Sequence, residues 1–590
     1  MAIVEPDIFH LSLQFNTTAA HQPGHRLGLQ THQLIDSDRF DDERLIVITW
    51  GTPAKNGQIL RASKIAKAIS ADGIEVVASH LDCSFLIIIY DRWSDCLTVV
   101  NDRTASLPFF YHVSKNHFLA SSSFRRLFVA RGGITSPGFD ALTVAEFLHF
   151  RRVFGNRTYD RDISFLPYAS VLTVGANGVI NHKRYWKIMA DKLSLNQDKM
   201  ADRLADSLRL SMKTYMSDNK NYGLLLSGGL DARALLAAAS RPPVCITTTP
   251  RPNNELAVAL ELAAIRGVEH IYVPRPERLL NNALRPSVDL SGGMTIFSEV
   301  QFLGYGPSIT PKANTIFMGL LLDIMFCGHY LPKSLITIGG RSGWSFRMNE
   351  LPADFAKYFF DTVSYRLKTS DSLRVLRSDL RESTQKRLLD RIHEEMDEGH
   401  QLGLQHYDLW EFMHLHNFAR HYSLLMAQSV RTFAACRLPA VTNDLYDLCW
   451  AMRAEDKANW AVYQKAIVKL NPEMMLVRNA NTNIRADLPL WQQSYIKLLR
   501  AISSKMLGFN TRRSPSWQDR SWPEPRKNID ANPCIQERIR NLARSNTLAE
   551  IGLFDPDAIA DVVSEHINGT LDHTVLLSEL VTIEEALQPK

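Results

Sequence analysis

The sequence predicts a multidomain protein of mixed α/β and α+β class, and three changes of pattern along its 590 residues predict it. Residues 1–190 are rich in short β-branched or aromatic runs such as "RLIVITWGT", "FLIIIYDR", "CLTVVNDR", "PFFYHV" and "HFLASSS", separated by turn signals. One helical stretch, around "RASKIAKAIS", interrupts them. From about residue 200, strands alternate with helices: "YGLLLSGG", a helix, "VCITTTP", "NNELAVALELAAIRG", "EHIYVP". That alternation implies a doubly wound parallel sheet, with a ligand site at the carboxyl ends of its strands. From about 350 the chain reads as mostly helical to its end, apart from "NTRRSPSWQDRSWPEPRKNIDANPC" (510–534), which reads as a long loop. The expected domains are therefore 1–190 and 200–590.

Bulk properties narrow the function classes. Hydrophobic content of 45% and charged content of 22% are those of a globular chain. A net charge of +5 over this length is too small to argue for nucleic acid or an anionic membrane as a partner. The seven cysteines are scattered without a CxxC pair, which suggests a reducing compartment and gives no zinc spacing. "MAIVEPDIFH" has no basic n-region, and "TIFMGLLLDIMF" is too short to span a bilayer and carries Asp323. The expectation is a cytoplasmic protein with neither a nucleic-acid nor a membrane partner.

The most informative stretch is "GLLLSGGLDARALLAAA" (223–239). Leu224, Leu225 and Leu226 form the continuous apolar run of a strand covered on both faces. Ala232 to Ala239 is almost all Ala and Leu, the best helix formers. Between them, Gly228 and Gly229 permit a sharp turn and close approach of a ligand to the backbone. Leu226, Ser227, Gly228, Gly229, Leu230 and Asp231 would then cradle an anion at the positive end of the new helix. A carboxylate beside a phosphate needs a cation between them, and a magnesium–nucleotide complex supplies one. An ordinary strand–turn–helix would use the same glycines, so the Ser-Gly-Gly-x-Asp order is what narrows the reading.

That order resembles the pyrophosphate-binding loop of the N-type ATP pyrophosphatases, whose usual form ends in Asp-Ser where this chain has Asp231-Ala232. "NDRTASLPFFYH" (101–112) resembles a signature in the N-terminal domain of asparagine synthetases. "FLHFRRVFGNRTYDRDISFLPYASVLTV…RYW" (147–186) is similar to the segment that follows that domain. "NNELAVALELAAIRGVEH" (253–270), "NDLYDLCWAM", "NWAVYQKAIVKLNPEM" and the C-terminal helices extend the resemblance along nearly the whole chain. It implies an αββα glutaminase-like sandwich, then an N-type ATP pyrophosphatase sheet with a helical extension. The implied activity is that of an AMP-forming, ATP-dependent C–N ligase that uses ATP and magnesium.

The chain departs from that family pattern at defined places. The family's glutaminase nucleophile is an amino-terminal cysteine. Here Ala2 follows Met1 and the first cysteine is Cys83, so glutaminase activity is expected to be absent. This resembles the β-lactam synthetases and the macrolactam cyclases of lasso peptides, which use an amine already on the substrate. The resemblance implies a small-molecule or peptide carboxylate as substrate, with a precursor peptide and its protease as candidate partners. It also implies Asp231 and Asp323 as the metal and pyrophosphate ligands. Around Asp323, Gly319, Phe326 and Gly328 match the family's Gly-x-Gly-x-Asp-Glu-x-Phe-x-Gly, whereas one glycine is Leu321 and the Glu is Ile324. The family's late-loop lysine has no counterpart after Lys469, which leaves Arg478 and Arg485 to stabilise charge. His270, Glu255 and Tyr330 are the candidate bases by region. The rival readings are a degenerate scaffold that keeps the fold without ligation, and a glutamine-dependent synthetase whose true start lies elsewhere.

Overall fold

The computed structural model describes residues 9–14, 27–31, 34–276, 278–328, 330–338, 341–363, 371–506 and 525–588. Ala2 lies outside these residues, as does most of the 510–534 stretch.

Two antiparallel sheets stack face to face in the first part of the chain. One holds five strands, including Phe9–Gln14 and His117–Ser121, and the other six, including Leu45–Gly51, Phe85–Asp91 and Cys96–Asn101. The run Phe85–Asp91 shows why this is a layered structure. Leu86, Ile88 and Tyr90 face the other sheet, where they meet Phe9, Leu11, Phe109 and Phe118. The alternate residues Phe85, Ile87 and Ile89 face the opposite way and pack on Ile65, Val77 and Ala78 of the helices Ala62–Asp72 and Ile74–His80. A strand buried on both faces must be apolar at every position, which its sequence satisfies. The expected single helix is thus two, divided at Gly73, whose φ of 79° ends the first. The helix Phe124–Ala130 packs on the outer face of the five-stranded sheet, where Phe124 meets Phe110, and completes four layers.

The second part is built on a five-stranded sheet, all parallel, in the order His270–Pro274, Val244–Thr249, Tyr222–Leu225, Thr315–Phe317, Ala435–Arg437. Leu224, Cys245, Ile316 and Phe317 are fully buried in it. Gly223 is required here, because a Cβ would lie 2.8 Å from side-chain atoms of Ala313, Ile246 and Ile316. From Phe355 onward helices predominate, ending in Thr574–Leu587, which is buried at every position except Val575.

The stretch read as a loop to residue 534 becomes helical from Pro525. Pro525–Asp530 and Pro533–Asn541 are both helices that begin at a proline, a residue suited to the first helical turn. Between the two parts, Arg391 reaches Asp140 (2.5 Å) and Glu146 (3.0 Å), and Arg184 reaches Glu398 (2.7 Å).

Candidate active site

The central strand Tyr222–Leu225 and its neighbour Thr315–Phe317 run parallel, so their carboxyl ends open onto the same edge of the sheet. Each passes through a short loop into a helix: Leu230–Ala238 after the first, Leu322–Phe326 after the second. Asp231 and Asp323 are each the second residue of their helix. Two carboxylates are thereby delivered to one place by repeating one local construction, at the positive end of two helices.

The loop before Asp231 is held through its backbone. The Leu226 N–H donates to the Ile246 carbonyl (2.8 Å), and the Leu226 carbonyl accepts the Thr247 hydroxyl (2.7 Å). The Ser227 hydroxyl accepts the Gly229 N–H (3.3 Å). Gly228 packs so closely that a Cβ would lie 2.2 Å from Ala480, whose N–H donates to the Gly228 carbonyl (3.2 Å). Gly319 meets the loop from the other side: a Cβ there would lie 2.8 Å from Cβ of Asp231 and 3.0 Å from its carbonyl carbon. Gly319 therefore brings the second loop against the first, and Leu230 packs on the main core.

Burial and the neighbouring Asp323 carboxylate push Asp231 well above the usual carboxylate range, and a hydrogen bond from the Tyr463 hydroxyl (3.0 Å) opposes that rise. Asp323 accepts the Ile324 N–H (2.9 Å). Two carboxylates in mutual repulsion beside the glycine loop form a site that a divalent cation would relieve. Among the described residues no cluster of three or more His, Cys, Asp or Glu side chains surrounds a metal position. A pair of carboxylates is nonetheless the protein share expected of a magnesium that completes its shell with phosphate oxygens and water.

The expected cations and bases are placed less favourably. Arg478 and Arg485 pair across the small hairpin Arg478–Asn479 and Ile484–Arg485. Arg478 donates to the Asn254 side chain (3.2 Å) and faces Glu261 at 3.8 Å. Arg485 is exposed and donates to Asp487 (2.6 Å). His270 opens the edge strand, level with Cys245 and Leu224 across the sheet, and its Nε2 meets the Thr247 hydroxyl at 2.9 Å. Burial lowers its pKa. The same Thr247 hydroxyl donates to the Leu226 carbonyl, so a single side chain links His270 to the glycine loop. Glu255 is in the first turn of Asn254–Arg266 near Arg275. Tyr330 stacks on His414, with ring centroids 4.9 Å apart.

Three residues were missed by sequence reasoning. Arg233 is fully buried, and its guanidinium donates to the carbonyls of Met474 and Val477 (2.9 Å each), Arg478 (3.0 Å) and Gly228 (3.5 Å). It ties the loop Leu226–Asp231 to the segment entering the Arg478 hairpin, and burial lowers its pKa to about 10. In an Ala/Leu helix a lone arginine reads as a solvated charge. Tyr463 lies 232 positions from the carboxylate it serves and carries no local signal. Lys333 donates to Asn459 (2.9 Å) and lies near Cys327, a thiol pushed up by burial and by Asp231 and Asp323. A lysine is thus present on this side of the site, although it precedes Lys469.

The family model "Glutamine amidotransferase domain" matches residues 63–186, and the model "Asparagine synthase" matches residues 203–588. Among curated proteins, "Asparagine synthetase [glutamine-hydrolyzing] 1" of Bacillus subtilis (strain 168) is 25% identical over 213 residues. That match covers 35% of this chain and about a third (33%) of the relative's length. Among solved structures, the glutamine phosphoribosylpyrophosphate amidotransferase from B. subtilis complexed with ADP and GMP aligns with a TM-score of 0.18 and 9% identity. It covers 45% of this chain and 60% of that one. The allosteric regulatory enzyme of purine biosynthesis aligns with a TM-score of 0.19 and 7% identity, covering 45% and 59%. With a match spanning residues 203–588, well over half its length, the chain belongs to the asparagine synthase family.

Proposed function

We propose that this protein is an ATP-dependent amide ligase that adenylates a substrate carboxylate, releases pyrophosphate, and passes the acyl group to an amine that does not come from glutamine. The observation that carries the reading is the pairing of Asp231 and Asp323 on the helices that follow two adjacent parallel strands, at the loop Leu226–Asp231. A free carboxylate is a poor acyl donor at neutral pH, and its attack on the α-phosphate of ATP makes AMP the leaving group. Negative charge develops on the phosphates in that step, and groups fixed in advance stabilise it at least reorganisation cost. Asp231 and Asp323 would hold magnesium, which supplies positive charge at the pyrophosphate. Tyr463 positions Asp231 by donating to its Oδ1.

The non-glutamine amine is supported by the cysteines. Cys83, the first in the sequence, is buried in the core, and burial pushes its thiol well above the ordinary value. A thiol so protonated and enclosed is no nucleophile. An amine on the substrate itself, closing a macrolactam, fits such a ligase. Within this reading, a peptide with a free amine and an acidic side chain is the substrate class.

The experiment is ATP–pyrophosphate exchange with the purified protein across a panel of carboxylic acids and acidic peptides, alongside glutamate release from glutamine. Exchange that depends on the acid, with no glutamate formed, is the expected result. ATP split to ADP and phosphate would overturn the adenylate. Binding of magnesium–ATP with no exchange for any acid would favour the scaffold.

A further inference from the structure

The helix Ala141–Phe150 belongs to the first part of the chain, yet it is buried at every position from Leu142 onward. It packs on two helices of the second part, Arg381–Gln401 and Thr574–Leu587. Two carboxyls are enclosed in that contact without full partners. Glu579 is 0% exposed, neither of its oxygens accepts a hydrogen bond from a described residue, and its ion pair with Nε of Arg151 spans 3.5 Å. Glu395 is 6% exposed, and among the described residues its Oε2 likewise has no hydrogen-bond donor. Its Oε1 meets Arg157 at 2.9 Å and presses on the first part, where a Cβ on Gly155 would stand 2.4 Å away. The Gly155 N–H donates in turn to the Asn417 side chain (2.6 Å). A buried carboxyl short of donors is costly to hold ionised.

The neighbouring charges do not make up the deficit. Glu395 faces Arg157 and Glu146 of the first part, Glu394 and Glu398 of its own helix, and Arg420 of the segment Met413–Ser423. Arg157 is shared among Glu146, Glu394 and Glu395, while Arg391 serves Asp140 and Glu146, and Arg184 serves Glu398. Glu579 faces Arg151, Arg152 and Glu299, and also Tyr159, whose hydroxyl donates to the Gly293 carbonyl. Arg152 lies 3.4 Å from Glu299. Burial, helped by the like charges and opposed by the arginines, pushes Glu395 up to about 7 and Glu579 up to about 8.

We propose that Glu395 and Glu579 form a proton-operated latch, which holds the sandwich against the synthetase helices while both are protonated and loosens as they ionise. The sign follows from linkage. In the closed contact each carboxyl keeps a proton that it would release in water, where its ordinary value is near 4.5. The stabilisation is fully present below that value and is lost as pH rises through about 7 for Glu395 and about 8 for Glu579. The latch does not depend on the ligase reading.

The test is amide hydrogen exchange of the full chain at pH 6 and pH 9, in the parent and in Glu395→Gln/Glu579→Gln. Glutamine keeps the shape and cannot ionise, so comparing the two chains at one pH cancels the intrinsic exchange rate. For peptides of Ala141–Phe150 and Thr574–Leu587, the parent-to-variant ratio of exchange rates should rise at least about tenfold from pH 6 to pH 9. In the parent at pH 9 these helices should also be less protected than the core strand Phe85–Asp91, as local opening requires. Should the double variant fold poorly, the single variants serve, and Glu579→Gln should remove the larger share. A ratio that stays constant between the two pH values overturns the proposal. So does equal protection of the helices and the strand, which would mean that the chain opens only as a whole.

Discussion

In both halves of the candidate site an aspartate stands second in a helix after a parallel strand, yet the two loops are held by different means. The loop before Asp231 is fixed by backbone hydrogen bonds, donated by Ala480, Thr247 and Arg233 and accepted by the Ile246 carbonyl. Its last residue, Gly229, has φ −83° and ψ −177°, extended backbone that any residue adopts. The loop before Asp323 instead passes through Leu321 at φ +77°, ψ −24°, left-handed backbone with a branched side chain on it. That conformation costs a non-glycine residue roughly 1–2 kcal/mol. Leu321 is 2% exposed, and burying a leucine is worth about 1.5–3 kcal/mol, enough to offset the strain. One half of the site is rigid because its polar groups are claimed. The other is rigid because a side chain is buried where a glycine would sit without strain.

The largest effect is expected where the halves meet. Asp231→Asn and Asp323→Asn should each lower acid-dependent pyrophosphate exchange by on the order of 10²–10³, the usual cost of removing a preorganised charge. The same variants should melt higher than the parent without ligand. Asp231 is raised above its unfolded value, so the folded chain holds a proton that the unfolded chain releases. The stabilisation is present below the unfolded pKa, near 4, and is lost as pH rises toward the raised folded value. Either Asn variant should flatten that decline, so the gain in melting temperature is larger at pH 8 than at pH 4. Magnesium–ATP should stabilise the parent and not the variants. Unchanged exchange in both variants would dissolve the pairing.

A smaller effect should separate the loops. Arg233→Met strands the carbonyls of Gly228, Met474, Val477 and Arg478, and an abandoned buried acceptor costs about 1–3 kcal/mol. Relief from burying a cation returns part of this, so a net loss of about 1–3 kcal/mol in urea unfolding is expected, with weaker magnesium–ATP binding by calorimetry. Parent-like stability and affinity would show that the first loop does not depend on the clamp.

The same contrast explains what could be read in the sequence. Leu224 to Leu226 and the Ala/Leu helix are local signals, and strand, turn and helix lie where that pattern puts them. The β-rich beginning was legible for the same reason. Arg233 and Tyr463 were not, because their roles are set by partners more than 230 positions away, which no local pattern records. The hairpin Lys333–Ile338 with Arg341–Met348 was also unread, although Gly339-Gly340 stands between the two runs in the sequence as a two-residue turn signal.

The smallest expected effect tests the second loop alone. Leu321→Gly removes a buried side chain and also the Cβ that makes φ +77° costly, so the two terms oppose each other. Loss of about 1.5–3 kcal/mol of burial against recovery of roughly 1–2 kcal/mol of strain leaves a net destabilisation of about 1 kcal/mol. The adjacent Leu322 is equally buried but is the first residue of the helix Leu322–Phe326, and its removal recovers no strain. Leu322→Ala should therefore cost about 2–5 kcal/mol, the range for large-to-small changes in a core. Urea unfolding of the two variants beside the parent measures the difference directly. If Leu321→Gly is as damaging as Leu322→Ala, no strain is released at position 321. The second loop would then be held as comfortably as the first.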